Sequence, residues 1–237
     1  MLHSQSIEHE FAGETLLSEL IVADGARATI ILFPTVAGVS DLELGFAETL
    51  ASKGFTAFVA DLYGKPYRGS GREVGAQQMR RLSADRGRLR ERLLAVVERV
   101  RGLPDTGAGI VAIGFCFGGL CALDLARSGA DIAGVASFHG LFDPPGLAPR
   151  SIAAKVIAFH GWDDPMVPPA KVLALGAELT QAGCDWQIHA FGQTVHAFTN
   201  PGADKLRNPA VRFSPDASRR SWRALDGFLD DLFPANG

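Results

Sequence analysis

Gly114-Phe115-Cys116-Phe117-Gly118-Gly119 is the stretch of this chain best suited to chemistry. A cysteine with glycines two residues to either side fits a sharp strand-to-helix turn, where the backbone packs too closely for β-carbons. Such a turn lifts the thiol above the edge of a sheet. It also sets the N-terminus of the next helix beside the sulfur, where the helix dipole favours thiolate. The Phe117 backbone N–H is then placed to receive an oxyanion. A lone G-x-C-x-G would be weak, and a tight turn around a structural cysteine is the competing reading. Here a strand pattern precedes the motif and a helix pattern follows it.

A nucleophilic thiol needs a base, and the base needs an orienting acid. Gly161-Trp162-Asp163-Asp164-Pro165-Met166-Val167-Pro168 follows a strand pattern ending at His160, and a carboxylate just past a strand end suits the orienting role. The residue types leave Asp163 and Asp164 as alternatives, with one of the pair expected to serve a turn. Gly192-Gln193-Thr194-Val195-His196-Ala197-Phe198 places His196 in a loop after the last strand. The order nucleophile, acid, histidine is that of a known hydrolase arrangement. Of the other histidines, His3 and His9 lie near the N-terminus, and His160 and His189 fall in or at the end of strands. His139 ends a strand on the active-site side, where lining the pocket and packing are equal readings. Phe115, Phe117, Phe142, Trp162 and Phe198 flank the motifs as a candidate apolar lining.

These residues need elements to hold them. Strand patterns occur at 17–23, 28–33, 56–62, 109–115, 132–138, 155–159 and 186–191. Ala28–Phe33 is apolar throughout, as expected of a strand buried on both faces. Helical periodicity occupies 41–53, 120–126, 170–182 and 218–232. A long amphipathic helix is expected over 74–101, with a break near Gly87 and an apolar stripe of Leu82, Leu89, Leu93, Val96 and Val100. Asp143 to Pro149 reads as a Pro/Gly-rich surface loop. Alternation of this kind predicts one α/β domain over residues 1–237, with a mostly parallel sheet covered by helices on both faces. Its functional loops belong beyond the carboxyl ends of the strands.

Composition narrows the function classes. The chain has 237 residues, 47% hydrophobic and 21% charged, with a formal net charge of -3. That balance argues against nucleic acid as a partner. Arginines cluster from Arg68 to Arg101, but acidic residues are interspersed, which reads as a solvated helix face. The polar segment Met1 to Glu10 has no signal-like apolar core, and no apolar run is long enough for a membrane span. The three cysteines, Cys116, Cys121 and Cys184, have no metal-ligand spacing. No metal or cofactor is expected, and free thiols suit the cytoplasm.

The sequence resembles the dienelactone hydrolase family of the α/β-hydrolase fold over nearly its whole length. The likeness rests on Phe33-Pro34-Thr35-Val36-Ala37-Gly38, Ala60-Asp61-Leu62-Tyr63-Gly64 and the three motifs above. Cysteine in place of the serine used by most of the wider fold makes it specific. The resemblance implies Cys116 as nucleophile, His196 as base and Asp164 as acid, since Asp164 stands three residues before Val167-Pro168. It implies the Val36 backbone N–H as second oxyanion donor. Two positions depart from the family pattern. Thr35 stands where well-known members carry a glutamate that holds the resting thiol, and Asn200 stands where they carry a carboxylate-binding arginine. Arg68, Arg72 and Arg80 are candidates for the other such arginine.

The expected function is hydrolysis of a small-molecule carboxylic ester or lactone through a thioester on Cys116. Thr35, Phe115, His139, Trp162 and Phe198 are the candidate substrate pocket. Nothing resembles a phosphate loop, which argues against phosphate chemistry. Two alternatives are a non-catalytic member of the fold that binds a small molecule or protein, and an acyltransferase using the same thioester. Oligomeric state is not encoded in any motif.

Overall fold

Strand β3 (Thr29–Phe33) shows how the sheet is built. Ile31 and Phe33 belong to the core on one face, and Ile30 and Leu32 to the core on the other. Side chains alternate along a strand, so an all-apolar strand must be covered on both sides. The computed structural model describes residues 3–104, 107–148 and 150–234. Met1 and Pro149, the first and last residues of two segments named above, lie outside the described residues.

Eight strands form one sheet in the order β1-β2-β4-β3-β5-β6-β7-β8. Besides β3 they are β1 (His3–Phe11), β2 (Glu14–Val22), β4 (Thr56–Val59), β5 (Ile110–Phe115), β6 (Gly134–Phe138), β7 (Lys155–Gly161) and β8 (Trp186–Phe191). β2 runs antiparallel to β1 and β4, and the other pairs are parallel. Helices α1 (Asp41–Ser52) and α6 (Pro215–Leu232) cover one face. Helices α2 (Gly71–Ala84), α3 (Arg86–Arg101), α4 (Phe117–Arg127) and α5 (Pro169–Gln181) cover the other.

Two differences from the sequence reading, and one refinement of it, have physical causes. β1 is an edge strand whose side chains are mostly exposed, so it lacks the apolar alternation that marks a strand. The long helix breaks as expected, with the break set at Asp85, two residues before Gly87. Asp85 leaves helical geometry with φ -129°, ψ 85° and caps α3 by accepting the Arg88 N–H at 2.9 Å. The arginine-rich segment is not wholly a solvated face. Arg92 is fully buried, donating to the Leu62 carbonyl and the Glu14 carboxylate with its guanidinium over the Phe11 ring.

The strand order reverses direction after β4, so the chain returns to place β5 on the other side of β3. Loops leaving β3 and β5 diverge there and open a crevice at the carboxyl edge. Phe33 pairs in register with Gly114. Thr35-Val36 and Cys116-Phe117, each just beyond those partners, therefore arrive side by side.

Candidate active site

The turn at Cys116 is as tight as its glycines require. A β-carbon on Gly114 would stand 1.9 Å from the Gly118 carbonyl oxygen, and one on Gly118 would stand 2.0 Å from the Phe33 carbonyl oxygen. Cys116 itself holds φ 56°, ψ -115°, a region that residues with a β-carbon rarely occupy. Its N–H donates to the Phe138 carbonyl at 3.0 Å, tying the turn to the neighbouring strand. α4 begins at the next residue. The thiol is partly exposed, whereas Asp164 and His196 are buried.

The loop after β7 delivers Asp164. Its Oδ2 accepts the His196 Nδ1 proton at 2.7 Å, and its Oδ1 accepts the Met166 N–H at 2.9 Å. Asp163 is exposed, and its backbone N–H donates to the Thr194 carbonyl at 3.0 Å. Of the two adjacent aspartates, the structure therefore joins Asp164 to His196. That contact leaves Nε2 as the free end of the ring. It is buried, makes no hydrogen bond of ordinary geometry, and couples electrostatically to Cys116.

Charge at the site follows from these neighbours. Burial opposes a thiolate at Cys116, but the His196 charge, together with the backbone N–H groups of Phe117 and Val36, holds its pKa below the usual thiol value. Burial likewise opposes an imidazolium at His196, yet the Cys116 charge and the hydrogen bond to Asp164 raise its pKa to about 10. Both shifts favour the thiolate–imidazolium form of the pair. The two expected oxyanion donors, the N–H groups of Val36 and Phe117, both act on the Cys116 sulfur to favour its charged form.

His139 is buried with φ 37°, its ring edge-on to His196 at 5.0 Å and to Phe198 at 5.2 Å. Its Nε2 shares a hydrogen bond of 2.8 Å with the Thr199 hydroxyl. Burial pushes its pKa well down, and the His196 charge pushes the same way, so His139 is neutral. It is a packed wall beside the catalytic candidates. Phe115 and Phe198 are fully buried. Phe115 stacks on Phe46 and Phe138 and so lies in the core beneath the site, not on an open wall. Trp162 is exposed, beside Asp163.

Thr35 does not stand alone in place of the family's glutamate. Glu43, in the first turn of α1, is fully buried and reaches back to the same loop. Its Oε1 accepts the Thr35 N–H at 3.0 Å, and its Oε2 accepts the Ser40 N–H at 3.2 Å and the Ser40 hydroxyl. Burial raises the Glu43 pKa, partly offset by those donors. Its carboxyl pins both ends of the turn that presents the Val36 N–H. Ser40-x-x-Glu43 is a capping box, and that spacing before an apolar helix is the signal that marks it in sequence.

Position 200 carries no charge for a carboxylate clamp. The Asn200 side chain accepts the Gly202 N–H at 2.8 Å and so closes its own turn. Arg68 is committed to the Leu17 carbonyl and, at 2.8 Å, to Glu19. α2 touches the oxyanion loop at Gly75, where a β-carbon would stand 2.1 Å from the Val36 carbonyl oxygen. At 100° per residue, Arg72 lies roughly 60° around the helix from Gly75 and Arg80 roughly 140°. Both are exposed, and Arg72 is on the side nearer the site.

A β3–β5 crevice with a cysteine elbow, and an Asp–His pair supplied from the β7 and β8 loops, define the α/β-hydrolase class. Within it, the model of the dienelactone hydrolase family matches residues 20–233, and the chain belongs to that family. The solved structure of m3DLH is 30% identical with a TM-score of 0.89, covering 98% of this chain and 99% of that one. The dienelactone hydrolase-like promiscuous phosphotriesterase P91, from metagenomic libraries, is 29% identical with a TM-score of 0.90 over 98% and 99% of the two chains. An uncharacterized protein of Caenorhabditis elegans, K02A2.1, is 32% identical over 157 residues, 64% of this chain and 99% of its own. Among the described residues no helix is long and apolar enough to cross a membrane.

Proposed function

We propose that the chain is one catalytic domain that hydrolyses small carboxylic esters or lactones through a thioester on Cys116. The observation that carries this is the buried Asp164–His196 pair at 2.7 Å, whose imidazole couples electrostatically to the partly exposed Cys116 on its elbow. The thiolate attacks the carbonyl carbon, forming a C–S bond while the carbonyl π pair moves to oxygen. The N–H groups of Val36 and Phe117 receive that oxyanion. Its collapse expels the alkoxide or enolate, which takes the proton from His196 Nε2. Water then gives a proton to Nε2, attacks the thioester and releases the acid and the thiolate. Thiolates favour good leaving groups, which points to enol lactones and aryl esters. No cofactor is needed at any step.

Mixing the enzyme with an aryl acetate and quenching with acid is expected to trap an acetyl group on the Cys116 peptide, read by mass mapping. Turnover without any acylated Cys116, or no turnover over a panel of aryl esters and enol lactones, would overturn the proposal. The second outcome would favour the non-catalytic reading. P91 motivates a second reading, phosphotriester hydrolysis, in which the same thiolate attacks phosphorus while the same N–H groups receive the phosphoryl oxygen. The leaving aryloxide takes the Nε2 proton, and water, giving a proton to Nε2, then cleaves the S–P bond to release the phosphodiester and the thiolate. A phosphotriester in the panel tests it.

Substrate charge follows from the open clamp. A bidentate guanidinium–carboxylate pair contributes a few kcal/mol, so its absence shifts preference by orders of magnitude. A neutral lactone methyl ester is expected to be hydrolysed with kcat/KM at least equal to that of the free acid. A large preference for the acid that disappears in Arg72→Ala would show that Arg72 restores the clamp.

A further inference from the structure

Residues of the β6–β7 connection, Phe142 to Ala148 and Arg150 to Ile152, cover a cavity of about 730 Å³ whose other walls come from α3, α4 and α5. That volume lies in the range of small-molecule sites, roughly 300–1,000 Å³. Cys116, Asp164 and His196 are not among its lining residues. It is separate from the candidate active site, and nothing in the proposed hydrolysis uses it.

The lining is two-sided in character. Phe142, Leu147, Ile152 and Leu175 give it an apolar wall, while Arg86, Arg90, Arg127 and Arg150 face two carboxylates, Asp124 and Glu178. Both carboxylates are already taken. Asp124 accepts Arg86 through both oxygens at 2.6 Å, and Glu178 accepts Arg127 through both oxygens at 2.7 and 2.8 Å. These four groups neutralise one another. Arg90 lies one turn after Arg86 on the same side of α3, and among the described residues it has no carboxylate partner. Among the described residues, exposed Arg150 donates only to the Ser128 carbonyl, at 3.4 Å. Two guanidiniums thus have no carboxylate partner among the described residues, beside an apolar wall.

We propose that this cavity binds an anionic amphiphile, with a carboxylate-type head on Arg90 and Arg150 and an aliphatic tail along Phe142, Leu147, Ile152 and Leu175. The head answers the unpaired charge by charge-assisted hydrogen bonds, and the tail removes apolar wall from water. A small anion would gain only the first, and a neutral alcohol only the second.

Titration calorimetry of decanoate into the full chain, with Cys116 first alkylated to close the proposed active site, tests the idea. One saturable site is expected, with acetate and decanol each about tenfold or more weaker. The double variant Arg90→Gln/Arg150→Gln is expected to lose decanoate binding by a similar factor while keeping its aryl-ester turnover. If the double variant fails to fold, as judged by circular dichroism, Arg90→Gln alone is titrated and is expected to weaken decanoate several-fold. Lack of saturable binding, equal binding of decanol, binding unchanged in a folded arginine variant, or binding seen only before Cys116 is alkylated would each overturn it.

Discussion

Asp164→Asn is expected to lower kcat by about 10³–10⁴-fold while leaving the fold intact. The asparagine amide cannot accept the Nδ1 proton as the carboxylate does, so the ring loses both the tautomer and the charge support that hold Nε2 ready for Cys116. The cost in stability should be small, because asparagine keeps an oxygen that can accept the Met166 N–H. Asp163→Asn is the matched control. Its side chain is exposed and away from the His196 bond, so turnover should stay within about twofold of wild type. Steady-state kinetics of the two variants decides the matter. If Asp163→Asn proved the more damaging, the acid would be misassigned.

Alkylation should be almost wholly selective for Cys116 at pH 6. The thiolate is the reacting species, so selectivity follows thiolate fraction. Cys116 is held below the usual thiol value against the opposing effect of burial, by His196 and the two N–H groups. Burial and the Asp185 charge push Cys184 up to about 11, leaving roughly one part in 10⁵ ionised at pH 6. Cys184 is therefore less reactive than an ordinary turn cysteine, because it is half-buried and lies beside the Asp185 carboxylate. Cys121 is fully buried, and burial pushes its thiol well up. Iodoacetamide labelling followed by mass mapping should find Cys116 alone modified. Raising the pH should erode that selectivity from two directions. Cys184 ionises as its pKa is approached, and His196 loses its proton as the pH passes about 10, leaving Cys116 without its cation. Comparable labelling of Cys184 at pH 6 would rule out a thiolate–imidazolium pair.

The residues with strong local signatures were legible from sequence. Cys116 announces itself because a sharp elbow tolerates only glycine at 114 and 118, and those contacts lie within a few residues and one neighbouring strand. The parallel sheet is equally plain, since a strand such as Thr29–Phe33 must be apolar at every position to be covered on both faces. Sequence order and the family likeness singled out His196 and Asp164, and the 2.7 Å bond between them is a matter of tertiary structure. The adjacent Asp163 has the same chemistry, and only the path of the loop decides which carboxylate turns inward.

What local pattern could not carry, long-range packing decided. β1 has no apolar alternation of its own and is a strand because β2 offers it a free edge. Arg92 looks like one more solvent-facing arginine, yet Glu14, 78 residues away in sequence, and the Leu62 carbonyl make its burial tolerable. Phe115 reads as a flank of the elbow, but the alternation of β5 sends its ring into the core. Glu43 carries a capping signal that says helix start. Its second role, anchoring the loop that aims the Val36 N–H, exists only because β3 and β5 lie side by side at the point where the strand order reverses. The sequence by itself determined the candidate reactive groups and the elements that bear them, because propensity and close backbone contacts act over a few residues. The tertiary structure alone decided which groups face one another, because hydrogen bonds and buried charges are set by distances between segments that the chain brings together only on folding.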